Sequence, residues 1–130
     1  MEPIETVRTF ITRICAKDLD GACELVSADV EYDNVPMGKH HGPEGIKELL
    51  GPLVAAGGSI EETEWVIHRE AATGSIVMNE RTDRFRVGDR WAELPVVGVF
   101  ELDGDGRISL WRDYFDLPSF QTQFAVLFEA

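Results

Sequence analysis

The sequence predicts an α+β fold in which helices come first and a strongly curved, mostly antiparallel sheet follows. Three observations carry that expectation. Apolar residues recur at helical spacing as far as Val54, the spacing changes to period two after Gly58, and Gly-Asp turn chemistry separates the later extended runs. Helices clustered early and antiparallel strands clustered late are the pattern of this class.

In order along the chain, Val7, Phe10, Ile11, Ile14 and Cys15 form one buried stripe of a first helix. A short second helix is expected over 18–26, burying Leu19, Ala22, Leu25 and Val26. An extended piece follows at 29–35, and MGKHH at 37–41 reads as a loop with His40 and His41 exposed. Pro43 opens a third helix whose stripe is Ile46, Leu49, Leu50, Leu53 and Val54, and Gly57 and Gly58 stop it. Strands are expected over 60–70, 75–87, 91–102 and 107–115, with turns at Gly88-Asp89 and Asp103-Gly104-Asp105-Gly106. The final segment, 117–128, is aromatic and amphipathic, and Pro118 suits its first turn. With no repeat or linker, 1–130 reads as a single domain. Long strands in so short a chain must curve, with the helices across the concave face and a pocket between the layers.

Composition excludes several classes. A net charge of −12 argues against nucleic acid or an anionic membrane as partner, because both are polyanions. MEPIETVRTF lacks the basic and apolar regions of a signal peptide, and no apolar run approaches the ~18 residues of a membrane span, so the cytoplasm is the expected location. Cys15 and Cys23 form no CxxC and no disulfide framework. His40, His41 and His68 lack metal-ligand spacing, and DGDG is too short for a calcium loop. Neither a metal nor a cofactor is expected.

Face assignment is more informative. In the 75–87 strand, Glu80, Thr82, Arg84 and Arg86 occupy the polar face, while Val77, Asn79, Arg81, Asp83, Phe85 and Val87 share the other. An arginine and an aspartate thus lie on an apolar face, where an unpaired charge costs several kcal/mol. A structural ion pair accounts for them as well as a catalytic one does. In 29–35, Asp29, Glu31 and Asp33 are expected in solvent, with Val30, Tyr32 and Asn34 inward. Near the C-terminus, Ser109, Trp111, Asp113 and Phe115 share one face and Ile108, Leu110, Arg112 and Tyr114 the other. Both are largely apolar, so parity leaves the orientation of Asp113 open.

Two carboxylates, a guanidinium, a phenol and an amide suit acid–base chemistry on a neutral substrate. Opening an epoxide needs a proton for the departing oxygen and a base for the attacking water, and no covalent intermediate. Burial and a neighbouring anion keep one carboxyl protonated beside an ionised partner, and an arginine stabilises the shared charge.

The stretches EYDNVP (31–36), ERTDRFR (80–86), VVGVFEL (96–102) and WRDYFDL (111–117) resemble segments of the limonene-1,2-epoxide hydrolases, in the same order and at similar separations. The resemblance extends over about 29–120. It implies the cone of the nuclear transport factor 2-like and SnoaL-like proteins, with a mixed, mostly antiparallel sheet, and a homodimer. It also turns Asp113 inward and implies Asp113 as base, Asp83 as acid, Arg81 as their bridge, and Tyr32 and Asn34 as holders of the water. Phe85, Leu94, Val96, Trp111, Phe115 and Phe120 are expected to line the pocket. The implied reaction adds water to a small lipophilic epoxide, limonene-1,2-epoxide or a similar cyclic one, in one step without a cofactor, giving a vicinal diol. Two other readings use the same cone. A ketosteroid-isomerase-like or polyketide-cyclase-like enzyme would need oxyanion donors rather than a second carboxylate. A non-catalytic binding module would have no reason to bury three charges.

Overall fold

The computed structural model describes residues 1–129. Its elements are α1 (Pro3–Cys15), α2 (Leu19–Cys23), β1 (Val26–Val35), β2 (Gly38–His41), α3 (Gly42–Val54), β3 (Glu62–Thr73), β4 (Ile76–Val87), β5 (Arg90–Leu102), β6 (Ile108–Tyr114) and α4 (Leu117–Leu127). The strands form one curved, unclosed sheet in the order β2-β1-β6-β5-β4-β3. β1 runs parallel to β6, and every other pairing is antiparallel.

The α1 stripe of Val7, Phe10, Ile11 and Ile14 is buried against the inner face of the sheet. Phe10 meets Phe100 of β5 and Trp111 of β6 edge-on. Side chains of this kind each contribute about 1.5–3 kcal/mol when fully buried. α3 packs against β1, and α4 lies along β5 with Phe124 edge-on to Phe85 at 5.2 Å. Asp116 caps α4, accepting from the Ser119 N–H at 3.0 Å. The outer face of β3, β4 and β5 carries exposed ion pairs, including Arg84 with Glu64 and Glu93. That accounts for the polar even positions of β4. No helix among the described residues is long and apolar enough to cross a membrane.

Three expectations change. The second helix ends at Cys23, and Val26 instead opens β1, pairing with Ile108. Here an apolar pair that suits a helical stripe is used by the sheet. The 37–41 segment is a tight turn followed by strand β2, which adds to the edge of β1 from Glu31↔His41 to Asn34↔Gly38. Gly38 has φ 128°, a conformation open to glycine. His40 is therefore a half-buried edge-strand residue, and only His41 is exposed. Asp33 is buried rather than solvated, because Arg112, its register partner on β6, donates to it at 3.0 Å.

Candidate active site

The sheet register assembles the site in diagonal rows. Across β4, β5, β6 and β1, Asn79 pairs with Gly98, Gly98 with Asp113, and Asp113 with Asn34. The next row holds Val77, Phe100, Trp111 and Tyr32. Arg81 is paired with Val96 on β5. To meet Asp113 on β6 its side chain must therefore pass over β5, and Gly98 leaves the room. A Cβ at Gly98 would stand 2.5 Å from Arg81 Nη1, 2.8 Å from Asn79 Oδ1 and 2.9 Å from Asp113 Oδ1. Glycine inside a strand often marks such a close approach.

Every donor of the Arg81 guanidinium is used. Nε donates to Asp83 Oδ1 at 2.9 Å and Nη2 to Asp83 Oδ2 at 3.0 Å. Nη2 also donates to Asp113 Oδ2 at 2.9 Å, and Nη1 to Asp113 Oδ1 at 3.3 Å. The remaining N–H of Nη1 goes to Asn79 Oδ1 at 2.9 Å. A guanidinium offers five N–H groups in a fixed fork, and a buried one left unpaired is expensive. The Trp65 ring lies 5.2 Å from the guanidinium carbon. Arg81, Asp83 and Asp113 are 1%, 4% and 4% exposed, so this pairing happens out of water.

Burial pushes the Asp83 carboxyl from its ordinary 3.8 up to about 6, against the pull of Arg81 and with the Asp113 charge adding to the rise. Burial also raises the Tyr32 phenol, again with help from Asp113, so it remains a hydroxyl. Arg81 is buried, which works against its charge, but the two carboxylates outweigh that and hold it protonated. The Tyr32 hydroxyl accepts from Asn34 Nδ2 at 3.1 Å.

These groups lie at the polar floor of a cavity that opens to solvent. Tyr32, Asn34, Asp83 and Asp113 line it together with Phe85, Leu94, Val96, Phe115 and Phe120. Trp111 is the exception. It is wholly buried beneath Phe10 and does not line the cavity; instead its indole N–H donates to Asp113 Oδ1 at 2.9 Å. It shares a face with Asp113, as parity requires, but α1 covers that end of the sheet. The remaining walls are Met37 of the β1–β2 turn, Leu49, Leu50, Leu53 and Val54 of α3, Trp65 of β3 and Phe124 of α4. The α3 leucines read as plain core stripe in the sequence, and Gly98 and Asn79 went unassigned. Their signals were a glycine between two valines and an amide on the face of Arg81. Among the described residues, no three His, Cys, Asp or Glu side chains are grouped to hold a metal.

Two buried carboxyls that share one guanidinium can give a proton at one point and take one at another, beside apolar walls. Comparison with known proteins bears on the family and the fold. The family described as the limonene-1,2-epoxide hydrolase catalytic domain matches residues 1–125. Epoxide hydrolase EphG of Mycobacterium tuberculosis is 37% identical over 111 residues, 85% of this chain and 71% of that protein. The solved structure of a limonene-epoxide-hydrolase-like enzyme from M. tuberculosis superposes with a TM-score of 0.79 at 36% identity, covering 97% of this chain and 84% of its own. A nuclear transport factor 2-like protein of unknown function from Burkholderia pseudomallei has a TM-score of 0.77 at 22% identity, covering 100% and 99% of the two chains. That last likeness concerns the fold alone.

Proposed function

This chain belongs to the limonene-1,2-epoxide hydrolase family, and on that premise we propose that it is an epoxide hydrolase, converting a small lipophilic epoxide to a vicinal diol without a cofactor. The observation that carries the proposal is one arginine shared by two buried carboxyls at the floor of an otherwise apolar cavity. Limonene-1,2-epoxide and similar cyclic epoxides are the substrate class that such walls favour.

Tyr32 and Asn34 hold a water beside Asp113, their neighbour across the β1–β6 ladder. Asp113 accepts a proton as the water oxygen attacks an epoxide carbon. The carbon–oxygen bond breaks, and the departing oxygen takes the proton of Asp83. Arg81 stabilises the negative charge as it passes from one aspartate to the other. The spent site differs from the starting one only in which aspartate holds the proton, and exchange with water restores it once the diol leaves. Incubation with limonene, cyclohexene and styrene oxides tests the reaction class. Diol formation that is lost in Asp113→Asn supports it, and no diol from any of the three contradicts it.

The same reading includes a homodimer in the cytoplasm. Met78, Val97 and Tyr114 are about half exposed on the convex face. Val97 is the register partner of Tyr114, and Met78 pairs with Val99, making one apolar patch that a second copy can cover. Light scattering after size exclusion should give twice the chain mass of 14.5 kDa. A monomer would remove the dimer and leave the chemistry untouched.

A further inference from the structure

The Arg81 fork is nearly symmetric. It gives two N–H donors to Asp83 and two to Asp113, and both carboxyls are equally buried. Neither the guanidinium nor burial therefore decides which aspartate keeps the proton. One contact breaks the symmetry: the Trp111 indole N–H, 2.9 Å from Asp113 Oδ1. Among the described residues, Asp83 accepts from Arg81 alone.

We propose that Trp111 is the positioning residue that divides the labour between the two aspartates, its indole N–H keeping Asp113 as the ionised base and leaving the proton on Asp83. The inference rests on the epoxide-hydrolase reading of the site. A donor to the charged form of a carboxyl favours that form, and a hydrogen bond to a charged group is among the strongest a protein makes.

The ring does a second task. It stacks on the Tyr32 ring, its register partner, at 4.0 Å and 10°, and on Phe100 at 6.2 Å and 10°, with Phe10 closing it edge-on at 5.0 Å. Trp111 cannot tilt without moving Tyr32, whose hydroxyl is tied to Asn34. One side chain thus sets both the base and the phenol that hold the water. The charged and titratable groups facing Asp113 are Arg81 and Asp83 from β4 and Tyr32 from β1. β5 contributes the side-chain-free Gly98, and the cavity walls from α3 and α4 are apolar. Cys15 of α1 lies farther back against the Trp65 N–H, and burial pushes its thiol up to about 11, so it stays neutral.

Trp111→Phe keeps an aromatic ring and removes the donor. We expect kcat to fall about ten- to a hundredfold, as loss of a hydrogen bond to a charged group implies. KM should change little, and the acidic limb of the rate profile should move to higher pH. A merely structural role would instead lower the melting temperature and the active fraction while leaving that limb in place, and this result overturns the proposal. Phe100→Leu is the control: it loosens the stack but keeps the indole donor, so its limb should stay where the wild type has it. Carboxyl carbon-13 spectra of the wild type, with Asp83 and Asp113 assigned, read the proton directly and need no substrate. In mildly acidic solution the proton should sit on Asp83; finding it on Asp113 overturns the proposal even if Trp111→Phe fails to fold. A wild type that opens no epoxide would instead remove the underlying reading, which the spectra do not address.

Discussion

The two halves of the sheet carry the site differently. β3, β4 and β5 form an antiparallel stack whose inner face supplies Asp83 and Arg81, the acid side of the proposed reaction, with Trp65 beside them. β6 and β1 meet at the parallel seam, with β2 on the outer edge of β1, and supply Asp113, Tyr32 and Asn34, the base side of the proposed reaction. The acid side stands on a single strand, and among the described residues Asp83 has no donor other than Arg81. The base side is drawn from two strands that are distant in sequence, and Asp113 has an additional donor in Trp111. The Arg81 guanidinium joins the halves over Gly98, where β5 leaves a gap for it. Burial and the guanidinium are common to both aspartates, so the difference between the two sides lies in the extra hydrogen bond that Asp113 accepts.

The largest effect should come from deleting either side. Asp83→Asn and Asp113→Asn should each lower kcat by about 10²–10⁴-fold, the usual worth of a general acid or base, with unchanged circular dichroism. Equal residual activity in a double variant would show that the two act as one unit.

Closing the gap between the halves comes next. Gly98→Ala puts a Cβ within 2.5 Å of Arg81 Nη1 and should destabilise the fold by about 1–3 kcal/mol, as overpacking does. Turnover should fall more than that loss of folded protein explains. Urea melts and active-site titration together separate the two effects.

Asn79→Ala weakens the bridge from the acid side. It leaves one Arg81 N–H buried without a partner, at a cost of about 1–3 kcal/mol. A fall in the urea midpoint at unchanged slope reads this cost.

The pH dependence sharpens the contrast further. As the proposed acid, Asp83 acts when protonated, so kcat/KM should decline as pH rises through about 6. The folded-state value lies above the ~3.9 of an unfolded aspartate, so the stability Asp83 contributes is fully present below that value and is lost as pH rises through the folded one. The wild-type melting temperature should fall across this window, and Asp83→Asn should flatten the fall. The smallest effect belongs to the shared mouth, where Phe120→Ala should raise KM several-fold with little change in kcat.

The same contrast governs what could be read from the sequence. β4 alternates cleanly between polar and apolar faces because antiparallel neighbours flank it and its outer face carries exposed ion pairs, so parity alone put Arg81 and Asp83 inside. β6 contributes Tyr114 to an exposed apolar patch with Val97 of β5, so both its faces look apolar, and only the resemblance of WRDYFDL turns Asp113 inward. Register across the parallel seam is invisible in sequence. That is why Asp33 is expected in solvent although Arg112 covers it. The 37–41 segment reads as a loop because its antiparallel pairing with β1 spans only a few edge residues and carries no apolar alternation. Trp111 was placed on the right face but in the wrong role, because periodicity does not say which end of the sheet a helix covers.

The central claim is direct addition of water by the Asp83–Arg81–Asp113 unit, and a single turnover in oxygen-18 water tests it most directly. With enzyme in excess over epoxide, the label should appear in the diol and none in the protein. Label recovered in the carboxyl of Asp83 or Asp113 would mean a covalent ester intermediate and would contradict the account.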